Sequence, residues 1–165
     1  MNDLVGRISS LRHELRLNQV SADVNEIIEV ALKEFAGMSD VTLVKSLAAV
    51  PLVEVDKEQI QKVLTNLLVN AREASRAGAE ICLSSEQQNG HVVISVEDHG
   101  CGISPQFLKQ QLFKPFQTTK KKGIGIGMFQ SKMIVEAHGG RIEVQSKEGE
   151  GTTFRIVLPL PGGKI

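Results

Sequence analysis

Tryptophan and tyrosine are absent from this sequence, and six phenylalanines are its only aromatics. That leaves few flat side chains on which single-stranded nucleic acid could stack. Charge of one sign is not in excess either. Nineteen Lys and Arg balance nineteen Asp and Glu, for a formal net charge of zero. No bulk electrostatic pull toward nucleic acid or an anionic membrane is expected, so nucleic acid is not a predicted partner. No apolar run is long enough to span a bilayer, and no signal-peptide pattern appears. The chain as given is expected to be soluble, cytoplasmic and not membrane-bound, which leaves room for a membrane anchor upstream in a longer parent. Cysteine is scarce: Cys82 and Cys101 form no CxxC pair and have no paired-histidine spacing. The spacing predicts two free thiols in a reducing compartment and no zinc site.

What is present reads as one soluble globular domain with a short appendage. The 165 residues are 41% hydrophobic and 23% charged, an ordinary balance for a chain able to bury a core. Met1, Leu4, Ile8, Leu11 and Leu15 alternate steps of three and four, the a/d spacing of a heptad helix. Asp23 and Glu26 suggest a capping box, and Val24, Ile27, Ile28, Ala31 and Phe35 then share one helical face. Short extended pieces follow between Gly37 and Val55. Asp56 and Gln59 open a long helix to about Arg76, with Ile60, Val63, Leu64, Leu67, Leu68 and Ala71 as its core face and Gly78 as its stop. Strands at about 80–85 and 91–98 are joined across Asn89-Gly90, a hairpin turn signal. After a Gly-rich loop come a short helix behind Ser104-Pro105, a second Gly-rich loop, and a helix from about Gly127 to Ala137. Strands at about 141–146 and 153–159 complete the pattern. Intermixed helices and hairpins predict an α+β two-layer sandwich: a mixed, mostly antiparallel sheet covered on one face by helices.

Three elements carry candidate chemistry. Asn66 and Asn70 are four apart on the long helix and share its flank. Their amide oxygens suit a hard cation such as magnesium, although two polar residues on a solvated helix face would look the same. Val92, Ile94, Val96 and Asp98 have one parity along a strand, so Asp98 is aimed into the layer between sheet and helices. A buried carboxylate needs donors; an adenine amino group is one, and the cap of a turn ahead of Gly100 and Gly102 is another. Lys120-Lys121-Lys122 then precede Gly123-Ile124-Gly125-Ile126-Gly127 at a helix start, where backbone amides and the helix dipole favour an anion. The spacing is neither the dinucleotide fingerprint nor a Walker P-loop.

In this order the elements resemble the ATP-binding catalytic domains of sensor histidine kinases, within the superfamily that also holds gyrase, the heat-shock chaperone and MutL and has the Bergerat fold. The wording is closest to bacterial nitrogen-regulator or Prs-like kinases. Leu64-Thr65-Asn66-Leu67-Leu68-Val69-Asn70-Ala71 resembles the N box and Asp98-His99-Gly100-Cys101-Gly102-Ile103 the G1 box. Phe113-Lys114-Pro115-Phe116 is similar to the F box, with Thr118-Thr119-Lys120 after it. Gly123 to Gly127 is similar to the G2 box, and Gly149-Glu150-Gly151-Thr152-Thr153-Phe154 to the last box. The resemblance covers about residues 21–161. It leaves 1–20 as the end of a truncated dimerisation and phosphoacceptor hairpin helix and 162–165 as a tail.

The resemblance implies ATP and Mg2+ as cofactors. Asn70 would ligate the metal with support from Asn66, and Asp98 would hold the adenine amino group. Ala74, Gly100, Gly102, Ile103 and Thr152 would line the base pocket. Lys120 and the Gly123, Ile124, Gly125, Ile126 and Gly127 backbone would face the phosphates, and Phe116 and Thr119 would belong to a short basic lid. Asn66 stands where hydrolytic relatives carry a glutamate base, so phosphoryl transfer rather than hydrolysis is implied, with Asn66 and Lys120 as the catalytic pair. Glu73 stands where many relatives have a basic residue, and Arg72 is the candidate substitute. The phosphate acceptor would be a histidine on the parent kinase's hairpin. His13 lies too close to the ATP domain for that role, with no room for the hairpin's second helix. A response regulator would be the downstream partner. Two other readings share the fold: an anti-sigma-type serine/threonine kinase, and a non-catalytic module gated by ATP.

Overall fold

The computed structural model describes residues 16–36, 40–110 and 126–161. The heptad segment with His13, the F box, Phe116, Thr119, Lys120, and Gly123 to Gly125 lie outside the described residues.

The spine is helix α2 (Lys57–Ala74), labelled after α1 (Val24–Ala36). Asp56 caps it: its carboxylate accepts the Gln59 amide at 3.2 Å, the interaction that an N-cap aspartate supplies. The expected stripe of Ile60, Val63, Leu64, Leu67, Leu68 and Ala71 is buried throughout. The helix stops at Ala74, two residues before the sequence limit. Ser75 turns extended at φ −105 and ψ 156, and its hydroxyl donates to the Ala71 carbonyl at 2.6 Å. The serine therefore satisfies the helix end locally. Gly78, at φ +81, serves the turn beyond.

Strands β2 (Thr42–Leu47), β4 (Glu80–Gln88), β5 (His91–Asp98), β6 (Arg141–Lys147) and β7 (Gly151–Pro159) form one sheet in the order β2-β4-β5-β7-β6. Among the described strands, only β2 and β4 pair in parallel. That pairing demands a crossover, which α2 supplies. The β4–β5 hairpin closes at Asn89 and Gly90, φ +48 and +80, the two positive φ values of a type I′ turn. On β5, Val92, Ile94, Val96 and Asp98 are buried, as the parity of the strand requires. Helices α1, α2 and α4 (Ile126–Ala137) cover that face, and α3 (Pro105–Gln110) precedes α4.

A second sheet was not anticipated. Strand β1 (Val20–Ala22) pairs antiparallel with β3 (Val53–Val55), Val20 opposite Val55. Three residues are too few for alternation to mark β1, whereas β3 falls within the extended pieces expected up to Val55; burial of Ala22, Val53 and Val55 fixes the pairing. The expected N-terminal helix therefore does not reach residue 20, since β1 begins there.

His138, at the end of α4, ties that helix to the start of α2. It is 6% exposed. Its Nε2 accepts the Asp56 backbone N–H at 3.0 Å, and its Nδ1 donates to the Ile134 carbonyl at 2.7 Å. Both contacts are satisfied together by one neutral tautomer. Replacement His138→Ala strands a buried N–H and opens a void, so urea unfolding is expected to show a loss of roughly 2–4 kcal/mol.

Candidate functional site

Asp98 ends β5 beneath the helical layer and is 4% exposed. Its Oδ1 accepts the Gly100 N–H at 2.9 Å, and the Thr152 backbone N–H also bonds its carboxylate. Thr152 lies directly opposite Asp98 in the β5–β7 register. Asp98 therefore caps the turn that follows it while remaining in the interior, so the turn-capping role does not displace the inward one. Burial raises its pKa above the ordinary 3.8, and the Gly100 and Thr152 amides oppose the rise.

The loop after Asp98 is pinned on two sides. Cys101 donates its N–H to the Ala74 carbonyl at 3.0 Å, and the Gly149 N–H donates to the Cys101 carbonyl at 2.8 Å. A β-carbon at Gly100 would collide with the Ala74 carbonyl, so only glycine lets this loop lie against the end of α2. Ala74 thus shapes the site through its backbone. Gly102 has φ +73 and packs on the Lys147 carbonyl.

Ser146 is a residue that sequence reasoning missed. Its Oγ accepts the Ile103 N–H at 2.8 Å and donates to the Gly151 carbonyl at 3.0 Å. It also meets the Thr152 hydroxyl at 2.7 Å. One serine thereby joins the Gly-rich loop, Ile103 and Thr152. No spacing along the chain signals it; the pairing of β6 with β7 brings Ser146 opposite Thr152.

On α2, Asn66 and Asn70 face the first turns of α4. The Asn70 amide nitrogen donates to Met128 Sδ at 3.1 Å. That of Asn66 donates to Ser131 Oγ at 3.1 Å and approaches Met128 Sδ at 3.5 Å. The Asn66 oxygen lies against Gly127, where a β-carbon would strike it. Ile126 is the first residue of α4. Between the two helices lies a cleft of about 350 Å³, with Gln59, Lys62 and Asn66 of α2 and Gly127, Gln130 and Ser131 of α4 among its walls. Arg72 places its guanidinium 5.9 Å from the centroid of Phe35 on α1, a cation–π arrangement.

A buried carboxylate on a strand end above a clamped glycine loop offers an acceptor to a flat polar ring, and the Asn66 and Asn70 amide oxygens are donors of the kind a hard cation takes. The family model described as "Histidine kinase-, DNA gyrase B-, and HSP90-like ATPase" matches residues 55–162. The chain belongs to that family. Within it, the likeness is to histidine kinases. Sensor protein SrrB of Staphylococcus aureus is 41% identical over 112 residues, which cover 64% of this chain and 19% of that protein. The chain thus spans about a fifth of the length of that relative. The catalytic domain of histidine kinase ThkA superposes with a TM-score of 0.73 at 30% identity, covering 88% of this chain and 98% of that one. The mycobacterial sensor histidine kinase MprB gives 0.77 at 27% identity, covering 86% and 97%. The α+β sandwich read from the sequence is therefore the histidine kinase catalytic fold.

The raised pKa of Asp98 has a definite sign. The folded state holds the Asp98 proton more tightly than the unfolded chain, so this residue favours folding below pH 3.8 and loses that contribution as pH rises through its folded pKa. The stability of the native protein relative to Asp98→Asn should shift toward the native protein as pH is lowered through this window. Denaturant melts of both proteins at a series of pH values measure the slope, and a slope of opposite sign contradicts the burial argument.

Proposed function

We propose that this chain is the ATP-binding catalytic half of a two-component sensor histidine kinase. It transfers the γ-phosphate of ATP to a histidine on a helical hairpin of the parent protein, and a response regulator receives the phosphate next. The observation that carries the reading is the buried Asp98 carboxylate, which faces the interior of the fold while Asn66 and Asn70 stand on the opposite helix. The family match and the ThkA likeness support it.

In this reading Asp98 accepts the adenine amino group. Gly100, Gly102, Ile103 and Thr152 shape the base pocket, braced by Ser146 and by the Ala74 carbonyl. Phosphates gather at the start of α4, where first-turn helix amides and the helix dipole favour anions. Gly127 and the preceding Gly123, Ile124, Gly125 and Ile126 supply backbone there, Lys120 supplies charge, and Phe116 and Thr119 belong to the lid.

Mg2+ fits the donor chemistry. The Asn70 amide nitrogen bonds Met128, so the ligand Asn70 would offer is its carbonyl oxygen, a donor type Mg2+ takes. Held there by Asn70, a bound Mg2+ would supply positive charge to offset that of the phosphates. Asn66 supports the site by fixing the first turns of α4 through Ser131 and Gly127. An amide there accepts no proton at neutral pH, so water is not activated and transfer is favoured over hydrolysis. The work is cytoplasmic, where ATP is abundant.

Three measurements test this. Replacement Asn70→Ala should abolish transfer of phosphate to a supplied hairpin domain, and unchanged transfer would refute the site. The phosphorylated product should be acid-labile, as phosphohistidine is; an acid-stable product would point to serine or threonine. Calorimetry should show ATP affinity falling roughly ten- to a hundredfold in Asp98→Asn, the loss of a hydrogen bond to a charged group.

A further inference from the structure

The outer face of the sheet carries a donor set that the ATP-binding reading does not use. Cys82 on β4 lies directly opposite Glu97 on β5. His99, two residues beyond Glu97, follows the same parity. The Cys82 thiol, a Glu97 carboxylate oxygen and a His99 ring nitrogen all lie within 4.8 Å of one another. His99 Nε2 is 3.6 Å from Glu97 Oε1. Thr153, opposite Glu97 on β7, donates its hydroxyl to the other carboxylate oxygen at 3.4 Å and so orients it.

We propose that Cys82, Glu97 and His99 form a binding site for one thiophilic divalent cation of the Zn2+ class. One sulfur, one imidazole nitrogen and one carboxylate oxygen are the ligand types Zn2+ takes, and three protein ligands with a fourth position left to water is a recognised arrangement. In a tetrahedral site the ligand atoms sit about 3.5 Å apart. Glu97 and His99 have exposed side chains and reach that spacing by rotamer adjustment, while Cys82 is half-buried in the strand. Binding forms a sulfur–metal bond, and the thiol proton leaves to solvent.

The other described histidines are placed differently. His138 uses both ring nitrogens inside the fold, and His91 stands at the far end of β5. Asp98 points to the opposite face from Glu97 and His99, so this site is separate from the proposed nucleotide site and does not depend on it. The two share the backbone of residues 97–99.

Co2+ is a suitable probe, because a thiolate ligand gives it a charge-transfer absorption band. Titration of the purified chain should show that band saturating at one ion per chain. It should vanish in Cys82→Ser and persist in Cys101→Ser. Affinity should fall at least about tenfold in Glu97→Gln and in His99→Ala, with Zn2+ competing off the cobalt in the native chain. Absence of the band, its survival in Cys82→Ser, or unchanged affinity in both Glu97→Gln and His99→Ala overturns the proposal. Circular dichroism checks that each variant is folded. If Cys82→Ser does not fold, the two exposed positions decide the question.

Discussion

The burial of the Asp98 carboxylate is the constraint around which this fold is organised. A charge taken out of water costs several kcal/mol unless donors meet it. Here the donors are the backbone amides of Gly100 and Thr152. The first requires the chain to turn back on itself directly after β5. The second requires β7 to lie alongside β5 in one register. The rest of the loop follows from that pair. Cys101 is drawn onto the Ala74 carbonyl, Gly149 onto Cys101, and Ile103 onto Ser146. The end of α2, the end of β5 and the β6–β7 hairpin are thereby fixed with respect to one another.

The second organising contact joins α2 to α4. At one end, Asn66 and Asn70 meet Met128 and Ser131. At the other, His138 accepts from the first turn's cap residue, Asp56. Asp56 also accepts the Asn18 N–H at 2.9 Å, so the cap draws in the segment before β1 as well. Both helices also bury apolar residues in the common core, Val63 and Leu67 from α2 and Ile134 and Val135 from α4. Together they fix α4 against α2.

Much of this was legible in the sequence because it is periodic or local. The stripe from Ile60 to Ala71, the inward parity of Val92 to Asp98 and the Asn89-Gly90 turn each follow from spacing within one element. The capped start of α2 needed only Asp56 and Gln59. The residues that resemble the kinase boxes were legible for another reason: glycine, asparagine and aspartate at such spacings are chemically specific. The errors were also physical. The end of α2 moved because Ser75 satisfies the last carbonyls by itself, and β1 and its pairing with β3 went unseen because a three-residue strand carries no period and no spacing records its partner.

By itself the sequence determined most of the element types and their buried faces, and placed Asn66 and Asn70 on one helix flank and Asp98 on an inward strand face, since those depend on repeats of two or 3.6 residues. Tertiary structure alone decided which distant groups meet. Ser146 braces the loop because β6 and β7 pair in one register, and His138 reaches Asp56 because α2 and α4 pack together. The two cysteines, spaced like no metal site along the chain, illustrate the point further. Cys82 stands beside Glu97 and His99 only because β4 and β5 fold into a hairpin, and no linear spacing records a contact made across strands.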